Sequence, residues 1–351
     1  MLDWGGASEG KTMLVLRQAR LSDHPRLLEL ARELNSINLP AQPEELKAAL
    51  RRSRSSFAGR MRDRARAVYL FCAEERSSGK LLGASMIIAK HGTPEAPHYY
   101  LEMDSDERYS HTLKRLFRHT YLRLRYSMDG PTELGGLIVT RSARGRPEQA
   151  GKQISWVRFL YLATHRARFE PRVVAEMLAP SEKTGGNAFW DHYGRRVTGL
   201  SFREADKLST RDKEFIRALF PDSPLYTFLL PKAVQRSLGA VGAETVAALR
   251  LLEKAGMRFL GHIDPFDAGP YLGAATDDLV ALRQCRRFRA VAGAVGSSFP
   301  GDYLVGCEDR RGFRAVRTAA LAGDSTLTLP ADSMAALGVK QGAAVAAVAL
   351  P

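Results

Sequence analysis

Residues 133–178 constrain the fold more than any other part of this chain. A strand-like run, Glu133-Leu-Gly-Gly-Leu-Ile-Val-Thr140, leads into a loop rich in Arg, Gly and Gln at 141–152. The apolar spacing predicts an amphipathic helix over 154–168, and a second apolar run follows, Arg172-Val-Val-Ala-Glu-Met-Leu178. This order puts a loop of backbone N–H groups at a helix N-terminus, beside the C-terminal end of a strand. First-turn amides lack intrahelical partners and the helix dipole favours negative charge, so the loop suits the pyrophosphate of a large anionic cofactor.

The chain has 351 residues, 45% of them hydrophobic, enough for one large domain and a smaller one. No apolar run reaches the roughly 18 residues of a membrane span. Residues 1–12 are polar and Gly-rich with no apolar signal core, and read as a disordered leader. Cys72, Cys285 and Cys307 lie far apart, which argues for reduced thiols in a cytoplasmic protein and against a disulfide scaffold or metal site. The formal charge is +14. Much of the excess lies in Arg51, Arg52, Arg54, Arg60, Arg62, Arg64 and Arg66, and in Lys114, Arg115, Arg118, Arg123 and Arg125. Such a surface attracts polyanions or is simply a solvated face. A nucleic-acid role is the weaker idea.

Along the chain, Leu14-Val-Leu-Arg-Gln-Ala19 predicts a first strand, and Ser22 and Asp23 offer an N-cap for a helix carrying Leu27, Leu28, Leu30 and Ala31. A second helix is expected over 43–53. The runs at 67–73 and 81–89, split by Ser77-Ser-Gly79, predict a hairpin. The stretch up to Gly130-Pro131, with Tyr99, Tyr100 and Tyr109, reads as polar and irregular. A further helix is predicted from Asn187, mostly helical pattern over 202–252, and a strand over 259–266. From about Cys285 small residues and short β-like runs dominate, with a short helix at 331–337 and a last strand at 342–350. The order as a whole predicts an α/β fold: a GNAT-like (acetyltransferase-like) mixed sheet flanked by helices over 13–270, with a small C-terminal β-rich module over 271–351.

Read as strings, the chain resembles the arginine N-succinyltransferase family of bacterial arginine catabolism. The matching pieces are Val173-Val-Ala-Glu-Met177, Phe189-Trp190 with Gly194-Arg-Arg196, Phe202-Arg-Glu-Ala-Asp206, Phe215-Ile216 and Pro224-Leu-Tyr-Thr227. They continue with Leu252-Glu-Lys-Ala-Gly256, Ile263-Asp-Pro-Phe-Asp-Ala-Gly-Pro270 and Phe313-Arg-Ala-Val316. The resemblance implies a GNAT-type fold that moves a succinyl group from succinyl-CoA to the α-amino group of arginine. It places the CoA contact at Leu137, with Ile138 and Val139 beside it on the strand, and Arg146, Gly151 and Lys152 in the loop. Gln149 stands where the family has the first Gly of an Arg-then-Gly-x-Gly loop. The family's catalytic His falls on Gly242, which cannot transfer a proton; Thr245 fits the family.

Direct acyl transfer needs a neutral amine, a polarised thioester carbonyl and a proton for the leaving thiolate. Tyr226 is the first candidate for the thiolate acid; a packed, hydrogen-bonded tyrosine is the alternative. Glu176, a carboxylate inside an apolar run, is placed to hold the substrate cation or act as a base through water, or else faces solvent from an edge. His192 and His262 are candidates for the missing acid, and either is also an ordinary structural histidine. Asp264 and Asp267 suit a guanidinium, or simply turn chemistry before Gly269-Pro270. Arg196 suits the succinyl carboxylate or a CoA phosphate. The expected partners are an amine substrate, which the resemblance implies is arginine, and a second copy or a paralogous subunit, with no membrane. The alternative to an enzyme is a non-catalytic or partner-dependent subunit, motivated by Gly242.

Overall fold

The computed structural model describes residues 13–34, 39–180, 186–209, 212–295 and 301–351. The leader expected at 1–12 lies outside them. The chain opens with β1 (Leu14–Gln18) and α1 (His24–Leu34). Asp23, just ahead of α1, accepts from the Arg20 amide and pairs with buried Arg17 at 2.7 Å. In α2 (Pro43–Phe57) Arg51, Arg52 and Arg54 are exposed, while Ser53 and Ser56 turn inward and accept from the amides of Leu70 and Val68. The first basic run therefore lies only in part on α2: Arg60, Arg62, Arg64 and Arg66 follow its end. β2 (Val68–Glu75) and β3 (Leu81–Ile88) form the expected hairpin.

The stretch read as irregular folds instead as a long antiparallel hairpin, β4 (His98–Ser110) and β5 (Arg115–Ser127). Both of its faces carry charge, so a period-two apolar signal is missing. Cross-strand pairs hold it: Glu102 accepts from Arg125 at 2.9 Å and Asp104 from the Tyr121 hydroxyl at 3.1 Å, while within β5 Arg115 and Arg123 lie over the rings of Phe117 and Tyr121. β6 (Thr132–Val139) and α3 (Ala150–Thr164) follow. The helix starts four residues earlier than expected and is not amphipathic. It is buried on every side from Gln153 to Leu162, as befits a helix covered all round.

β7 (Arg172–Glu176) precedes a helical stretch: α4 (Ala188–His192), α5 (Gly194–Thr198), α6 (Phe202–Ser209) and α7 (Glu214–Leu219). The short β8 (Leu225–Tyr226), α8 (Lys232–Ser237), α9 (Val246–Lys254), β9 (Arg258–Ile263) and β10 (Pro270–Ala275) come next. The chain ends with α10 (Val280–Gln284), β11 (Arg286–Ala292), β12 (Gly301–Asp309), β13 (Gly312–Ala322), β14 (Thr326–Leu329), α11 (Ala331–Leu337) and β15 (Ala344–Ala349).

These elements fall into two compact units. The first comprises the chain up to Ala89, Leu134–Phe169 and Leu279–Pro351; the second comprises Lys90–Glu133 and Glu170–Asp278. In the first, β11 to β15 close on themselves, because β12 bonds to both β13 and β15, β15 to β11, β11 to β14 and β14 to β13. Phe288, Val305, Val316, Leu327 and Val345 fill the ring, with Leu337 of α11. β13 also bonds to β1, pairing Val316 with Val15. In the second unit the strand order is β7-β10-β9-β4-β5-β8, and β7 also pairs in parallel with Thr132 and Glu133 at the start of β6. The boundary expected at 270–271 falls inside β10, which is laddered on both sides by β7 and β9. The change of texture at Cys285 coincides instead with the start of β11.

Candidate active site

The first unit carries the strand, loop and helix on which donor binding was expected. Along β6, Ile138 is buried in a core with Leu70, Leu81 and Met86, whereas Leu137 and Val139 alternate to the other face. Gly136 takes a left-handed φ of 58° just before Leu137, a conformation that favours glycine. After Thr140 the loop runs to Gln149, which caps α3 in the left-handed region at φ 54° and ψ 51°. The family's glycine is thus replaced by a side chain where the backbone itself asks for glycine. The bend survives because the Gln149 amide donates to Arg146 O at 3.0 Å, while Arg317 donates to Gln149 Oε1 at 3.2 Å and to Glu148 O at 3.3 Å.

Gln153 is the first residue to bond back along α3, its amide reaching Gln149 O at 3.1 Å. The amides of Ala150, Gly151 and Lys152 therefore stand at the open end of the helix, where a phosphate is favoured. A Cβ on Gly151 would meet only Val139 Cγ2, at 3.7 Å. Arg144 and Arg146 are exposed beside this turn, Arg146 lying 4.0 Å from Glu75, and Lys152 donates to the Pro351 carbonyl. Arg158, two turns into the helix, is 2% exposed and donates to Ser155 O, Ser155 Oγ and Gly135 O, tying α3 to the strand next to Gly136. These residues fit a CoA pyrophosphate: open amides, no Cβ at Gly151 and two exposed guanidinium groups.

The second unit gathers carboxylates. Glu176 ends β7, and Asp264 and Asp267 lie in the turn between β9 and β10. Tyr271 donates to Glu176 Oε2 at 3.2 Å and to Asp264 Oδ2 at 3.4 Å, drawing the strand and the turn together. Asp264 Oδ1 accepts from the amides of Phe266 and Asp267; Asp267 accepts from Gly269 and Ala179. The turn rests on aromatic packing, with Phe266 stacked on Trp190 at 5.1 Å. Trp190 in turn requires Gly194, where a Cβ would come within 2.3 Å of the indole. Gly269 is equally constrained, since its Cβ would lie 2.1 Å from Met177 O. Several of the rare residues that carry the family resemblance are thus the scaffold of this turn.

Crowded carboxylates with little water resist ionisation. Burial, then the charges of Asp264, Asp267 and Glu133, raises Glu176 well above the usual carboxylate range. Burial also raises Asp264, and burial followed by the charge of Asp264 pushes Asp267 up to about 7. An entering cation would reverse that pressure, which is what an acceptor site for a guanidinium or ammonium needs.

The other expected residues lie apart from this group or at its rim. Tyr226 is on β8, at the opposite edge of the sheet from β7. It donates to Asp106 Oδ2 at 2.7 Å, a bond that raises its hydroxyl pKa, and accepts from Arg108 at 3.2 Å. His192 contacts Ala188 O of its own helix at 2.8 Å through Nδ1, and Arg196 is exposed on α5. His262 stacks on Tyr100 at 4.1 Å, and burial lowers its pKa. Gly242 is bonded to Leu178 O at 3.0 Å, one residue from the Ala179 amide that Asp267 holds. Its φ of −61° is open to any residue, and a Cβ would lie 3.3 Å from Ala179 O. Thr245 closes the same turn, donating to Gly242 O at 2.8 Å.

Four residues of the cluster were missed in the sequence: His91, His98, Glu133 and Tyr271. Glu133 shows the same signal as Glu176, a carboxylate heading an apolar run, and is 4% exposed. His91 and His98 fall in the stretch read as irregular. Among the described residues no group of three or more His, Cys, Asp or Glu side chains is arranged to hold a metal ion, and no helix is long and apolar enough to cross a membrane.

A family model described as arginine N-succinyltransferase beta subunit matches residues 14–281, and one for that protein's C-terminal domain matches 300–349. The chain is 32% identical to arginine N-succinyltransferase subunit alpha of Pseudomonas aeruginosa, covering 96% of this chain and 100% of that one. It is 31% identical to subunit beta of the same organism, over 96% and 98%, and 30% identical to arginine N-succinyltransferase of Yersinia enterocolitica, over 96% and 98%. The solved structure of arginine/ornithine succinyltransferase subunit AI from Pseudomonas aeruginosa superposes with a TM-score of 0.83 at 30% identity, covering 97% of this chain and all of that one. The chain belongs to the arginine N-succinyltransferase family.

Proposed function

We propose that this protein transfers an acyl group from a CoA thioester, succinyl-CoA, to the α-amino group of arginine, on a GNAT-type scaffold. The observation that carries the reading is the half-buried group of Glu176, Asp264 and Asp267, whose raised pKa values mark a place that gains from a cation. Arginine brings two cationic groups, and its guanidinium matches paired carboxylate oxygens. On the donor side, the open amides and Gly151 at the start of α3 would take the pyrophosphate, Arg146 and Lys152 would add charge, and Leu137 to Val139 would line the strand. Bound CoA thioester supplies the activated acyl carbon.

In this reading the chain's residues bind and orient. The carboxylates hold the cation of the acceptor, and removal of water strengthens those contacts. We assign Tyr226, His192 and His262 no more than candidate status as the thiolate acid, and Arg196 the same for the donor carboxylate. We retain a cytoplasmic location and association with a second copy or a paralogous subunit. Relatives named subunit alpha and subunit beta support the last point.

Gly242 motivates a second reading as the alternative, a subunit that binds but does not turn over, which the relatives named arginine N-succinyltransferase do not favour. Release of free thiol from succinyl-CoA in the presence of arginine separates the two, with acetyl-CoA and ornithine run in parallel. The proposal expects release with succinyl-CoA and arginine above every other pair. No release with any pair, together with retained arginine binding, would leave the second reading standing.

A further inference from the structure

We infer that His91, paired with Glu133, takes the proton from the acceptor amine. This rests on the acyl-transfer reading above. His91 Nδ1 lies 2.6 Å from Glu133 Oε2, with the imidazole 25% exposed and the carboxylate side chain 5% exposed. The carboxylate beside Nδ1 favours the ring proton on that nitrogen, which leaves the lone pair on Nε2. Burial acts to raise Glu133, but the charge and contact of His91 bring it below its ordinary value, so it faces His91 as an anion.

Two rings, His98 and Tyr271, link the dyad to the carboxylate group. His91 meets His98 edge-on at 4.5 Å, His98 meets Tyr271 at 4.9 Å, and the Tyr271 hydroxyl reaches Glu176 and Asp264. The titratable surroundings are Glu133 on β6, His98 on β4, Glu176 on β7, His262 on β9, Tyr271 on β10, Asp264 and Asp267 in the turn, and Lys213 ahead of α7. Lys90 and Asp129 pair with each other nearby in the chain. Burial keeps His98 neutral well below the ordinary histidine range, so it offers His91 no competing cation.

The ammonium of arginine gives one proton to His91 Nε2, and the freed amine attacks the thioester carbonyl carbon. The C–N bond forms, the C–S bond breaks with its electron pair going to sulfur, and the second proton on nitrogen passes to the thiolate. His91 then releases its proton to water. His91 is the base, and Glu133 is a positioning residue that acts through it.

The test is His91→Gln beside Glu133→Gln and Glu133→Asp, each read as a pH profile of arginine acylation. A positioned base contributes on the order of 100-fold or more. His91→Gln is expected to lower kcat about 100-fold at pH 7, with the KM for succinyl-CoA unchanged. The deficit should shrink as pH rises past about 8, where free amine forms unaided. Glu133→Gln should lower kcat less, with Glu133→Asp recovering part of the loss. Activity of His91→Gln within twofold of the parent across pH 6–9, or an equal loss at every pH, would overturn the assignment. A second arm needs no turnover: diethylpyrocarbonate modification of His91 in the unaltered chain, followed by mass spectrometry with and without arginine. If no amine is acylated the transfer reading fails, and this arm decides the placement alone: slowed modification keeps His91 at the acceptor site, unchanged modification removes it.

Discussion

The loop ahead of α3 and the turn around Asp264 meet charged ligands by opposite means. The loop offers backbone amides and exposed cations, all within a few residues of one another, and little of it is buried. The turn offers carboxylates that burial holds partly protonated, and it is assembled from β6, β7, the β9–β10 connection and β10. A helix start contributes to anion binding through its own geometry. Buried carboxylates are stable only where a long-range scaffold fixes their partners, here Tyr271, the amides of residues 179, 266, 267 and 269, and the Trp190–Phe266 stack. In the proposed reading, local chemistry suffices for the donor end, while the acceptor end is a product of the tertiary fold.

The strongest way to break this contrast is Glu176→Gln. Losing one carboxylate of a desolvated site costs about 3–4 kcal/mol in recognition of a bound cation. The kcat/KM for arginine should fall a few hundredfold, while the KM for succinyl-CoA stays within twofold. Steady-state kinetics with each substrate varied in turn checks both. A matching loss on the donor side would remove the separation of roles.

Stability against pH is the next lever. Asp267 has a folded-state pKa near 7, above its unfolded value of 3.8. A group raised in this way binds protons more tightly when folded. Its contribution is fully present below about pH 4 and is lost as pH rises through 7. The ligand-free protein should therefore lose stability between pH 5 and pH 7, at up to about 1.4 kcal/mol per pH unit for one such proton. Asp267→Asn should flatten that slope, and so should saturating arginine. Urea unfolding at several pH values reads all three; an unchanged slope in Asp267→Asn would mean that this carboxyl is ordinary.

The loop gives the smallest effects. Gln149→Gly should raise stability by about 0.5–1 kcal/mol, because a non-glycine residue leaves the left-handed region. Gly151→Ala should also be stabilising by about 0.5 kcal/mol, as in any helix with room for the methyl. If Gly151 serves close approach by phosphate, that gain is accompanied by a several-fold rise in the KM for succinyl-CoA. An unchanged KM would show that no ligand comes near its Cα.

What the sequence made legible follows the same division. The strand at 132–139, the loop and the helix after it were readable because period, turn residues and capping are local signals. The amphipathic reading of the helix failed at Arg158 and Gln153, polar residues that are buried because they bond to Gly135, Ser155 and Glu148. The hairpin of β4 and β5 was unreadable by alternation, since its pairs are ionic and cation–aromatic. Glu176, Asp264 and Asp267 could be singled out as residues, but their gathering with Glu133, Tyr271 and His91 depends on strand order. Tyr226 stood out by family position, and its partners Asp106 and Arg108 come from the same hairpin that the pattern hid.

The central claim is that the two ends are chemically independent, with the donor read by the loop and the acceptor by the carboxylates. Calorimetric titration of succinyl-CoA and of arginine, each into Arg146→Ala and Glu176→Gln, tests it most directly. The account predicts a crossed pattern: Arg146→Ala weakens succinyl-CoA and leaves arginine unchanged, and Glu176→Gln does the reverse. Equal weakening of both ligands by either substitution would contradict it.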